Sequence, residues 1–137
     1  MDFENIVMYY LAAQGLFLSP KFPIKDGGGE WSCPDFVALD FNNHQVQVIE
    51  VTTAYDVSGL IAKIQDRNKQ WFERLQIQLL KRGVIDTSWK FIVRVFVRKD
   101  REDTIRAKFQ YEDDVSIEII EKIAFSWKWP WDEWSKS

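Results

Sequence analysis

Two acids occupy positions where strands are otherwise apolar. Asp35, in Ser32-Cys33-Pro34-Asp35-Phe36, and Glu50, in Val48-Ile49-Glu50-Val51-Thr52, are separated by fourteen residues. The stretches 34–41 and 45–53 read as strands flanking the turn Asn42-Asn43-His44, the pattern of a β-hairpin. An isolated carboxylate on a mostly apolar strand is costly to bury, and two on adjacent strands repel unless positive charge lies between them. A divalent cation is the commonest solution: Mg²⁺ takes one or two carboxylates, keeps several waters and leaves room for a phosphate. Asp35 and Glu50 are therefore candidate metal ligands. Their plainer readings stay open: Asp35 as a turn residue after Pro34, and Glu50 as the partner of a basic residue on the helix that follows.

The composition narrows the chemistry. A length of 137 residues fits one domain with a short appendage, read as 1–125 with a Trp-rich tail at 126–137. Hydrophobic residues at 46% and aromatics at 15% suffice for a core and exclude global disorder. Cys33 is the single cysteine and His44 the single histidine, so an internal disulfide and a cysteine-based zinc site are excluded. His44 sits in the hairpin turn, a poor place for the oriented base of a catalytic triad. A net charge of −3 argues against a non-specific nucleic-acid coat but allows a local basic patch. No apolar run is long enough to span a bilayer, and the start Met1-Asp2-Phe3-Glu4-Asn5 lacks the basic region of a signal peptide. A cytoplasmic protein without membrane contact is expected.

The elements that would position these acids follow from periodicity. Asp2 is a candidate N-cap for a first helix with Phe3, Ile6, Val7, Tyr10 and Leu11 on one face, closed by Gly15. Residues 16–24 are extended, and Pro20 and Pro23 restrict them to an edge strand or irregular segment. Gly27-Gly28-Gly29 marks a flexible loop. After the hairpin, Asp56 or Ser58 caps a long helix to about 82, ended by Gly83, with Ile61, Ile64, Asn68, Trp71, Phe72, Leu75 and Leu79 as its buried face. A second face carries Lys63, Arg67, Gln70, Arg74 and Lys81. Residues 89–97 alternate as a strand bearing Lys90 and Arg94, with Arg98 just beyond. Residues 104–111 suggest a further short strand and 115–125 a helix capped by Asp113 or Asp114. The sum is an α/β domain with a mixed sheet of about four to five strands and helices on both sides.

With these elements in this order, the sequence resembles the PD-(D/E)XK nuclease superfamily, which includes restriction endonucleases and Holliday-junction resolvases. The resemblance rests on Pro34-Asp35, the hairpin, Glu50-Val51-Thr52 and the amphipathic helix directly afterwards, and covers roughly 2–98. It implies a restriction endonuclease-like αβββαβ core. It also implies Mg²⁺ or Mn²⁺ held by Asp35, Glu50 and the Val51 carbonyl, with Glu4 as the first-helix acid some members add, and hydrolysis of DNA phosphodiester bonds. The superfamily's lysine, two positions after the Glu, is replaced here by Thr52, whose hydroxyl cannot supply positive charge to a transition state.

A lysine elsewhere has to take that part. Lys63 lies eleven residues beyond Thr52 in the following helix, within reach of the cleft by sequence, with Lys25 a weaker substitute. Each has a plainer reading as a solvated charge, and Glu4 as a first-turn acid favoured by the helix dipole. Arg67, Gln70, Arg74 and Lys81 suit a DNA backbone or a solvated face equally well. The tail Ser126-Trp-Lys-Trp-Pro-Trp-Asp-Glu-Trp134 has three readings: stacking on bases, packing in a homodimer, or closing over its own core. Two alternatives to a nuclease remain: a catalytically degenerate nucleic-acid-binding module on the same fold, and an assembly protein docking through the tail.

Overall fold

The computed structural model describes residues 3–126. The Asp2 cap and the Trp-rich tail, with the stacking and homodimer readings of that tail, lie outside the described residues. The elements run α1 (Phe3–Ala13), β1 (Phe17–Pro20), β2 (Ile24–Asp26), β3 (Gly29–Ser32), β4 (Phe36–Asp40), β5 (Gln45–Val51), α2 (Ser58–Gln65), a π-helical turn (Asn68–Phe72), α3 (Glu73–Lys81), β6 (Lys90–Val97), α4 (Glu102–Phe109), β7 (Val115–Ile119) and α5 (Ile120–Ser126).

Five strands form a sheet in the order β1-β4-β5-β6-β7. β1, β4 and β5 pair antiparallel, while β5, β6 and β7 pair parallel. The expected mixed sheet with helices on both sides is the fold of this chain, and the large sheet and its helices follow the expected αβββαβ order from α1 to β6. Alternation along the strands builds two cores. Val46, Val48, Val93 and Val95 pack under Ile64, Trp71, Leu75 and Leu79 of the α2–α3 layer, and Phe36, Ala38, Ile49 and Phe96 under Ile6, Val7 and Leu11 of α1 and Ile120 and Ile123 of α5. Pro20 ends the edge strand β1, where its missing N–H costs no ladder bond. Gly15 and Gly83, with φ of 81° and 69°, stop α1 and α3 in the left-handed conformation that favours glycine.

Four expectations are corrected. Residues 104–111 are not a strand: Ile105 and Phe109 are buried while Ala107, which a strand would place on the same face, is exposed, and the two buried residues anchor α4. Residues 115–125 are not one helix. Val115-Ser116-Ile117-Glu118-Ile119 alternates, buries Ile117 and Ile119, and pairs with β6 as β7 before α5 begins. The three glycines are not a loose loop, since Gly27 and Gly28 form the two-residue turn of the β2–β3 hairpin, with Gly27 at φ 64°. The long helix is interrupted by the π turn, which buries Trp71 and Phe72 consecutively and turns Asn68 outward, so Asn68 is exposed rather than part of the buried face.

Candidate functional site

The β4–β5 hairpin sets the site. Its register runs Asp40↔Gln45 to Phe36↔Ile49, and one further step brings Asp35 opposite Glu50. Glu50 shares strand parity with Val46 and Val48, and Asp35 with Val37 and Leu39, so both acids point to the face covered by α2. The Val51 N–H donates to Asp35 Oδ2 at 2.8 Å. In an extended strand the N–H and C=O of one residue face the same side, so the Val51 carbonyl also faces Asp35. Two carboxylates, both hard oxygen donors, thus meet at the end of the hairpin with the Val51 carbonyl on the Asp35 side of β5, donor types that suit Mg²⁺ with water completing the shell. Among the described residues, no group of three or more His, Cys, Asp or Glu side chains forms a ready metal-ligand set.

Lys21 brings Glu4 into the cluster. Its ammonium donates to Glu4 Oε1 and to Asp35 Oδ1, each at 3.1 Å. Its backbone N–H donates to the Asp35 carbonyl at 2.9 Å, extending the β1–β4 ladder by one residue. Lys21 holds a φ of 53°, a left-handed conformation uncommon outside glycine that concentrates at functional positions. Sequence reasoning missed this residue. The signal lies in the β1–β4 register, which places it beside Asp35, and no local motif reports that pairing.

The electrostatics separate the two acids. Burial pushes Glu50 up to about 8, with the charge of Asp35 and a hydrogen bond shared with it acting in the same direction, while Lys63 and Lys21 pull it back. Burial acts on Asp35 too. There it is outweighed by the Val51 N–H, by Lys21 and by Glu4, and the carboxyl is held below its ordinary range. Hydrogen bonds to Asp35 and Glu4 raise Lys21. At neutral pH the pair therefore favours a charged carboxylate on Asp35 and a protonated carboxyl on Glu50. Cys33 sits nearby and is exposed, but desolvation followed by the charge of Glu30 raises its thiol, so it makes a poor nucleophile.

The other sequence-nominated residues fall into two groups. Lys63, exposed on α2, is near enough to Glu50 for its charge to act there, as does Lys21. Thr52 donates its N–H to the Phe96 carbonyl at 3.0 Å, and its Oγ1 accepts from the Ala54 N–H at 3.1 Å, so the hydroxyl closes its own turn. Lys25 is exposed in β2, its backbone held by Gln78. Of the expected DNA-facing stripe, Arg67, Gln70 and Arg74 are bonded within the chain. Arg67 forms a two-pronged pair with Asp114 at 2.6 and 2.7 Å and a further pair with Glu112. Arg74 pairs with Asp26 and stacks on Trp31 at 3.6 Å. The Gln70 carbonyl accepts from Trp31 Nε1, and its side chain bonds Ser32. Gln70 and Arg74 therefore clamp the β2–β3 hairpin, and Lys81 is exposed at the C-terminal end of α3.

No protein-family model matches the sequence, and no curated protein matches it significantly. Among solved structures, an XisH family protein from Nostoc punctiforme PCC 73102 aligns with a TM-score of 0.47 and 16% identity, over 88% of this chain and 93% of that one. No helix among the described residues is long and apolar enough to cross a membrane.

Proposed function

We propose that this chain is a metal-dependent nuclease that hydrolyses DNA phosphodiester bonds. The observation that carries this reading is the juxtaposition of Asp35 and Glu50 across the hairpin, on one face, with two lysine charges directed at them. Asp35, Glu50 and the Val51 carbonyl would hold Mg²⁺ or Mn²⁺, and the ion when bound would polarise a phosphate oxygen and acidify a water. Glu50 gives up its proton on becoming a ligand. Asp35 is fixed by the Val51 N–H, so its geometry is set before any ligand arrives. Lys21 holds Glu4 and Asp35 together at the rim. Lys63, whose charge acts on Glu50, would offset the charge that develops on the phosphate, taking the part that Thr52 cannot.

Incubating the protein with plasmid, single-stranded and branched DNA, with Mg²⁺, Mn²⁺ or EDTA, tests this reading. Metal-dependent cleavage is the expected result. Lys63→Ala is expected to lower the rate at least ~10-fold, the low end for one positioned catalytic group. Metal affinity, read by calorimetry with Mn²⁺, should stay constant or rise as a neighbouring cation is lost. An unchanged rate would remove Lys63 from the chemistry.

A second reading, a non-catalytic nucleic-acid-binding module on the same fold, is favoured by one observation. Lys21 already spans two of the acids, as a structural counter-ion would. Mn²⁺ or DNA binding without cleavage in any of the assays above would select it.

A further inference from the structure

Arg67 and Arg74 of the stripe on α2 and α3 are held in ion pairs while Lys63 and Lys81 stay exposed, so a nucleic acid reaching Asp35 and Glu50 would gain from a further surface. One lies on the connection that carries the chain from Glu50 in β5 to Lys63 in α2. Tyr55, on that connection, is 61% exposed. The Arg101 guanidinium lies over its ring at 3.7 Å, and that of Arg98 at 5.8 Å. Arg98, Lys99 and Arg101 outnumber Asp100, which is shared between both arginines at 2.7 and 3.8 Å. Of the other nearby acids, Glu121 accepts from the Lys99 N–H, Asp56 from the Ser58 N–H and hydroxyl, and Glu102 from Arg106, while Asp103 is exposed on α4. Arg101 Nε is buried and has no hydrogen-bond acceptor. Two cavities flank the connection, one of about 310 Å³ lined by Thr53, Arg98 and Glu121, the other of about 260 Å³ lined by Tyr55, Ser58, Arg101 and Thr104.

We infer that Tyr55, Arg98 and Arg101 form a binding site for single-stranded DNA, in which an unstacked base packs on the Tyr55–Arg101 platform and the arginines take flanking phosphates. The inference rests on the nuclease reading of the Asp35–Glu50 site and adds to it the form of the substrate. A base inside a duplex has both faces covered by its neighbours. An exposed tyrosine backed by a guanidinium therefore rewards only a base that has left the stack. The arginines provide the salt-sensitive part of the affinity, and their stacking on Tyr55 holds them extended at little further entropic cost.

Fluorescence anisotropy with a short labelled oligonucleotide, as a single strand and as a duplex, tests this in EDTA, where metal and cleavage play no part. Tyr55→Ala is expected to weaken single-strand binding ~10-fold or more, with much less effect on the duplex, while Tyr55→Phe stays within about twofold of the parent. The Arg98→Gln/Arg101→Gln double variant should lower the slope of log affinity against log salt by about 1 to 2. This pair keeps the test valid if Tyr55→Ala fails to fold. Equal losses for both DNA forms, an unchanged single-strand affinity in Tyr55→Ala, an unchanged salt slope in the double variant, or no single-strand binding by the parent would each overturn the inference. The two readings fail separately. Cleavage in Mg²⁺ with binding indifferent to Tyr55 removes only this site. Tyr55-dependent binding without cleavage removes the nuclease reading and leaves the site on a binding module.

Discussion

Glu50→Gln is expected to abolish metal-dependent cleavage, by at least ~10³-fold, because a ligand that places the metal is worth several kcal/mol of transition-state stabilisation. The same change should stabilise the metal-free protein at alkaline pH. In the folded chain Glu50 is pushed up to about 8 from an ordinary 4.5, by burial first and by Asp35 second. A group raised in this way contributes stability that is fully present below about pH 4.5, declines as pH rises, and is lost once pH passes about 8. A shift of that size corresponds to a few kcal/mol, on the order expected for a buried carboxyl beside a like charge. Asp35 runs the other way: held below its ordinary 3.8, it stabilises above that pH and loses its contribution as acid protonates it. In EDTA, the midpoint of thermal unfolding of the parent should fall between pH 5 and pH 8, and that of Glu50→Gln should fall much less. Adding Mn²⁺ at pH 8 should reverse the ranking, since a ligand that binds only the folded state stabilises it by mass action. A Glu50→Gln variant that cleaves like the parent would place the site elsewhere, and a parent whose stability is flat across this range would show that Glu50 is already ionised.

The second large effect belongs to the opposite face of the sheet. Arg94 is buried on β6, where its guanidinium meets Glu118 at 2.7 and 2.8 Å and the side-chain oxygens of Gln14 and Gln47 at 3.0 Å each. Four acceptors satisfy one cation, and together they tie β5, β6 and β7 to the end of α1. Arg94→Ala should cost about 3 kcal/mol in urea unfolding, because it leaves the part-buried Glu118 carboxylate and the buried Gln47 without their shared cation. Replacing both partners, as Arg94→Leu with Glu118→Leu, should recover much of the loss, since the penalty comes from an unpaired charge rather than from a missing attraction. Equal losses in the single and double variants would show that the glutamines and the ion pair act through packing alone.

The legible parts of the molecule are those in which neighbours in sequence are neighbours in space. The hairpin was readable because alternation and the Asn42-Asn43-His44 turn fix its register locally, and that register puts Asp35 opposite Glu50. Lys21 was not readable, since its tie to Asp35 depends on pairing β1 with β4, and Pro20 and Pro23 obscure the strand signal there. Arg67, Gln70 and Arg74 share a helix face by period, yet period cannot report that the 112–114 turn and the β2–β3 hairpin cover that face. The two short segments near the C-terminus exchanged helix and strand for a related reason. Each offers only two or three buried positions, too few for one period to outweigh the other until β7 has β6 beside it.

The π turn at Asn68–Phe72 sets the rotational phase between α2 and α3. It holds one residue more than a regular helix needs, and each residue turns the helix by roughly 100°. Winding the same residues as an unbroken α-helix would make α2 and α3 a single regular rod, and local helical geometry would improve. The rod would then present α3 rotated by about a quarter turn. Gln78, which bonds the Pro23 carbonyl and the Lys25 N–H, and Arg74, which covers Trp31, would swing off the β2–β3 hairpin. That segment leads directly to Pro34 and Asp35. The irregularity thus works as a phase setting between the half of the helix layer that faces the acids and the half that grips the hairpin, and the chain keeps a poorer helix to keep the two in step.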